Sequence, residues 1–139
     1  MAELFLFLAS RAQLVKEVIA PALRKGEVVI CDRYMDSTLA YQGYGRGLSV
    51  ERLRQLNAEA TGGVVPHQTF VLEIPVKVGL RRATRQGADR IERERLAFHQ
   101  RVATGYRRLA AREPKRIRVI SGRGSIGDIQ EKIRAAIQL

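Results

Sequence analysis

The chain has 139 residues, 45% of them apolar, a size suited to one globular domain with a single core. Lys and Arg outnumber Asp and Glu by 25 to 14, a formal charge of +11, so the surface attracts polyanions such as nucleotides, nucleic acid or acidic membranes. Cys31 is the one cysteine, which excludes an internal disulfide framework and fits a reducing, cytoplasmic setting, and the thiol itself reads as a small buried hydrophobe at a strand end.

The opening MAELFLFLAS is apolar enough to suggest a secretory leader, but Glu3 precedes the apolar run, no basic segment comes before it and Arg11 follows at once. It reads as helix. Leu4, Leu8, Ala12, Val15, Ile19 and Leu23 recur at intervals of three and four, and Gly26 follows Arg24 and Lys25 as a stop, so the spacing predicts a helix over 4–25, bent near Pro21. EVVIC (27–31) is a β-branched run without polar alternation, as in a strand covered on both faces. TFVLEI (69–74) and RIRVIS (116–121) read as strands in the same way. Helical stretches fall at about 36–44, 49–60, 76–86 and 92–112, and a last helix spans 128–139. Strands separated by helices imply parallel crossovers and an α/β fold. No apolar run approaches the roughly 20 residues of a membrane span, and no repeat or linker divides the chain.

In open α/β sheets ligands bind beyond the carboxyl ends of strands, which is where Asp32 and Arg33 follow VVIC. A guanidinium there suits phosphate oxygens, and the adjacent carboxylate suits a magnesium ion or a sugar hydroxyl. Tyr34, Thr38 and Tyr41 then recur at helical spacing, with Ser37 and Gln42 beside them, a set suited to a nucleobase and its sugar. The same residues can equally be read as a strand-end ion pair with helix caps behind it.

Two glycine motifs mislead. GRGSIG (122–127) fits the dinucleotide fingerprint, yet only 12 residues follow it, with no second strand and no acid about 20 positions on, so it reads as a strand-to-helix turn. GYGRG (43–47) lacks the Lys-Ser/Thr ending of a phosphate loop and reads as a helix stop. His67 and His99 are isolated, and no Cys or His pair has metal-ligand spacing.

DRYMDSTLAYQGYGRG (32–47) resembles the DR(Y/H)xxSxxAYQGxGRG segment of thymidylate kinases, which phosphorylate dTMP with ATP. The resemblance runs along the chain: ELFLFLASRAQLVKEVIAPAL is similar to the helix before that segment, GLRRATRQGADRIERE to the family's lid, here about 82–94, and FHQRVATGYRRLA to the helix after it. It implies a P-loop kinase-like three-layer α/β fold with a parallel sheet, in a cytoplasmic homodimer. It also implies that Phe7 stacks on thymine, Arg11 hydrogen-bonds a base carbonyl, Arg33 holds the phosphate, Ser37 and Thr38 lie against the base, Tyr41 packs under the deoxyribose and disfavours a 2′-hydroxyl, and Gln42 closes the pocket. Asp32 matches the strand-end acid near Mg2+. In the lid, Arg82 matches the position stacked on the adenine of ATP and Glu92 an acid that orders the loop. Gln86 stands where the family's catalytic lid arginine precedes the glycine, and Arg85, one position earlier, is the candidate for that role. Arg123 is a further candidate contact to the adenine.

No GxxxxGK[ST] stretch is present. The resemblance implies that the phosphate-loop strand, its helix and the next strand, about 60 residues by the size of such units, precede Met1. The 139 residues would then be the C-terminal part of the fold and are expected to transfer no phosphate alone. Two other readings are a basic nucleic-acid-binding module, suggested by Arg101, Arg107, Arg108, Arg112, Lys115, Arg116 and Arg118, and a catalytically dead partner subunit. Because those cations are spread around the helix without interleaved aromatics, no nucleic-acid partner is expected.

Overall fold

Leu4, Leu8, Val15 and Ile19 lie on one face of the opening helix, and burial of that face organises the first part of the chain. In the computed structural model, residues 1–83, 91 and 94–137 are described. They form two compact units, Met1–Val65 and Pro66–Leu139.

In the first unit, α1 (Ala2–Leu14) passes through a widened π segment (Val15–Ile19) into α2 (Ala20–Arg24). Pro21 has no N–H, and its ring crowds the carbonyl four residues back, so a regular turn is not available there. The chain answers with the wider turn, in which the Ala20 N–H reaches the Val15 carbonyl, at the place where a bend was expected. Gly26 (φ 75°) ends the helix.

The expected strand at 27–31 does not form: the segment carries no strand pairing among the described residues, and Val28 and Ile30 are 69% and 94% exposed. β-branched residues favour extended backbone, but a strand needs a neighbouring edge, and none of the described residues supplies it. Cys31 is accordingly exposed, not buried, with its thiol donating to the Arg33 carbonyl at 3.5 Å.

After this segment α3 (Met35–Thr38) continues into a second π segment (Leu39–Gly45), and Gly47 follows as the stop. The helix α4 (Val50–Thr61) begins at Ser49, whose hydroxyl accepts the Arg52 N–H, and ends at Gly62 in the left-handed region. Its Leu53, Asn57 and Thr61, four apart, form one buried stripe. α4 packs on α1 and on the second π segment. At Gly43 the approach is so close that a Cβ would lie 3.1 Å from Val50 Cγ2 and 3.2 Å from Leu53 Cδ1. Leu4, Leu39 and Leu53 fill this core, each contributing about 1.5–3 kcal/mol of burial.

In the second unit β1 (Thr69–Glu73) and β2 (Ile117–Ser121) pair in parallel, in register from Thr69 opposite Ile117 to Glu73 opposite Ser121. Both strands were legible, and the parallel pair demands the helical crossover supplied by α5 (Val76–Ala83) and α6 (Leu96–Arg112). Phe98, Val102, Gly105 and Leu109 form the inner face of α6. Beyond β2 the GRGSIG segment is a turn into α7 (Ile126–Ala136). Ser125 Oγ accepts the Asp128 N–H at 3.1 Å, and the Asp128 carboxylate accepts the Ser125 N–H at 2.8 Å, a reciprocal cap. No described helix is long and apolar enough to cross a membrane.

The cap makes a pH prediction. Hydrogen bonds from the Ser125 backbone and side chain hold the Asp128 carboxyl below its ordinary value. Its folded pKa therefore lies below the unfolded one, so its stabilisation of α7 is complete above the unfolded value and is lost as pH falls through the folded value. Ser125→Ala removes the side-chain part while the backbone bond remains. The Asp128 midpoint, followed by NMR titration, should move part of the way up towards the ordinary range, and α7 should fray at neutral pH.

Candidate functional site

All eight positions singled out around the nucleotide motif lie on or beside three elements of the first unit, and Phe7 and Arg11 on α1 show how they are assembled. Glu3, Phe7 and Arg11 are four apart and share one face of α1. Both ends of that face are fastened. At one end Glu3 Oε1 accepts from Gln42 Nε2 at 2.9 Å and from Arg46 Nε at 2.8 Å, and Oε2 accepts from Arg46 Nη2 at 3.0 Å. At the other, Arg11 Nη1 donates to Asn57 Oδ1 at 2.7 Å and Nη2 to the Tyr34 carbonyl at 3.2 Å. Phe7, 42% exposed, sits midway between the two attachments, which are about 12 Å apart along the helix.

The Arg11 guanidinium also lies 5.5 Å from the centre of the Tyr34 ring. Burial pulls its pKa down from the ordinary value, against the opposing influence of Tyr34, Cys31 and Asp36, and it remains a cation at neutral pH. Asn57, 0% exposed, is held in turn by donating its amide to the Met35 carbonyl at 3.3 Å. The Tyr34 hydroxyl donates to the Val64 carbonyl at 3.2 Å, and burial raises its pKa, offset by a bond with Thr61 and by Arg11. α1, α4 and the 34–35 turn thus meet at one cation.

Arg33, next to Tyr34, has φ 64°, and among the described residues it is the one non-glycine with positive φ. Left-handed backbone costs an arginine about 1 kcal/mol or more. Its guanidinium lies 4.9 Å from the centre of the Tyr41 ring, a cation–π distance. Asp32 is exposed in the same segment. Ser37 and Tyr41 are half-buried, whereas Thr38 and Gln42 are buried, and Gln42 is committed to Glu3. Among the described residues no group of three or more His, Cys, Asp or Glu forms a metal cluster.

In the second unit Arg82 is exposed in the last turn of α5, and Arg123 is exposed in the turn after β2, its N–H donating to Ser121 Oγ at 3.4 Å. Arg85, Gln86 and Glu92 lie outside the described residues.

Sequence reasoning missed Asn57, Tyr34 as a partner of Arg11, and the Glu3–Arg46 ion pair. Asn57 left one signal, a polar side chain one turn from Leu53 on the same helix face, and such a group must find partners when buried. Glu3 and Arg46 are 43 positions apart and left none.

The thymidylate kinase family model matches residues 1–133. The chain is 54% identical to a thymidylate kinase of Synechococcus sp. over 99% of its own length and 66% of that protein's, and 52% identical to one of Desulfovibrio desulfuricans over 99% and 67%. It spans about two thirds of the length of these curated relatives. Among solved structures, thymidylate kinase from Ehrlichia chaffeensis superposes with a TM-score of 0.74 at 30% identity, covering 98% of this chain and 63% of that one. The parallel β1–β2 pair with its helices accords with the P-loop kinase-like α/β fold of that neighbour. A family match over nearly every residue, joined to an α/β fold and the 32–47 motif, leaves one conclusion: the chain belongs to the thymidylate kinase family.

Proposed function

We propose that this chain carries the acceptor-nucleotide site of a nucleoside monophosphate kinase that transfers the ATP γ-phosphate to dTMP, giving dTDP for dTTP synthesis. The observation that supports it most is the Arg11 guanidinium bonded to the Tyr34 carbonyl, because it sets the Phe7 face of α1 beside the turn that carries Arg33. One small nucleotide can then meet an aromatic ring, a base-reading cation and a phosphate-reading cation.

In this reading Phe7 offers its exposed ring to the pyrimidine face and Arg11 a remaining N–H to a base carbonyl. Tyr41 lies under the deoxyribose, Ser37 contacts the base edge, and the buried Thr38 and Gln42 form the wall behind. Arg33 binds the acceptor phosphate with forked donors, orienting its oxygen towards the donor nucleotide. Phosphoryl transfer rests on positioning and on cations near the oxygens that gain charge. Arg85 of the lid is the candidate for that cation, with Arg82 and Arg123 against the adenine. Asp32, an exposed carboxylate beside Arg33, fits Mg2+, which takes one or two carboxylates and keeps its other positions for water and phosphate oxygens. When bound, the ion supplies charge neutralisation on the phosphates.

We place the protein in the cytoplasm as a homodimer. The exposed Phe5, Leu6, Leu14 and Val18 give the opening helix apolar surface for a second copy.

Arg33→Ala should weaken dTMP binding by about 30-fold or more and leave thymidine binding nearly unchanged, measured by calorimetry. Equal losses for both ligands would contradict the phosphate role. Tyr41→Ala should narrow the preference for dTMP over its ribonucleotide counterpart by about tenfold, read as the ratio of the two dissociation constants. An unchanged ratio would remove Tyr41 from sugar discrimination.

A further inference from the structure

We infer that Asn57 is a positioning residue that makes Arg11 a specific reader of the base, and this rests on the proposed role of Arg11 at a base carbonyl. An arginine side chain is long and rotamer-rich, and ordering it at the moment of binding costs conformational entropy. Here that cost is met in the folded protein. The guanidinium is held on three sides: by Asn57 Oδ1 at 2.7 Å from α4, by the Tyr34 carbonyl at 3.2 Å from the turn, and by the Tyr34 ring at 5.5 Å. Among the described residues two of its N–H donors are engaged, and the planar guanidinium holds its other donors in the same plane.

Asn57, 0% exposed, spends both ends of its amide on this arrangement. It sits at the centre of a stripe whose neighbours Leu53 and Thr61 are buried. Its Oδ1 faces Arg11, and its Nδ2 donates to the Met35 carbonyl, one residue beyond the carbonyl that Arg11 uses. The one amide therefore fixes both the cation and the turn against which the cation rests. The Glu3 attachment holds the helix two turns away but touches neither. Without Asn57 a half-buried cation would lose its shortest hydrogen bond, and the group would swing towards solvent to recover hydration.

Calorimetry on the full chain with thymidine, dTMP and deoxyribose 5-phosphate tests this. Asn57→Leu, close in volume, should weaken thymidine and dTMP by about tenfold and leave deoxyribose 5-phosphate, which has no base, unchanged. Asn57→Asp keeps an acceptor for Arg11 but gives up the bond to the Met35 carbonyl, so it should recover part of the loss, and it serves as the readable variant if the leucine substitution does not fold. In an Arg11→Ala background neither substitution should cause any further loss of thymidine affinity. Equal weakening of all three ligands, or the same loss with and without Arg11, would overturn the inference and leave Asn57 a packing residue. If Arg11→Ala weakens thymidine while Asn57→Leu does not, this inference alone fails. If the wild-type chain binds neither thymidine nor dTMP, the proposed function fails, and the inference with it.

Discussion

The ligand-facing side of the first unit depends on how one half-buried cation is solvated. Among the described residues Arg11 has no acidic partner in hydrogen-bonding contact and is compensated by carbonyl dipoles, one from the Asn57 side chain and one from the Tyr34 backbone. A charge removed from water must find such groups or remain outside. Because these dipoles belong to α4 and to the 34–35 turn, satisfying the cation also places both elements against α1. Chemistry and architecture are here the same interaction, which explains why a residue that could act as a flexible surface arginine is held in the structure.

A second attachment completes the frame. Glu3 takes hydrogen bonds from Gln42 and Arg46, so the first turn of α1 is tied to the end of the π segment that carries Tyr41. With Arg11 tied lower down, the helix cannot turn about its axis without breaking one set of bonds, and the Phe7 ring keeps its direction. Arg33 is constrained in another way, by left-handed backbone and by a tyrosine face. Strain of this kind persists only where neighbouring structure over-determines it, and it concentrates at functional positions.

Much of this was legible and some was not, for identifiable reasons. The helix periods, the β1 and β2 runs, the glycine stops and the turn character of GRGSIG are local properties, and each appears where the pattern puts it within a few residues. The 27–31 run was misread because β-branched residues report a preference for extended backbone while strand pairing depends on a second edge. Cys31 was read as buried for the same reason. Phe7, Arg11 and Arg33 could be singled out because they match a known motif, but their arrangement rests on Asn57, Glu3 and the Tyr34 carbonyl, partners from 23 to 46 positions away that no periodicity encodes.

The exposed stretch containing Val28 and Ile30 also bears on how molecules of this protein meet one another. A segment of β-branched residues with open apolar side chains and no strand pairing among the described residues is a template onto which a like segment of another molecule can dock by edge pairing. Opposing this is the +11 formal charge, which makes copies repel at long range. The two act over different distances, since the screening length shrinks to about 10 Å at 0.1 M salt whereas edge pairing operates at contact. Pairing through this segment is therefore tied to ionic strength: dilute buffers oppose it, and concentrated salt lowers the barrier to it.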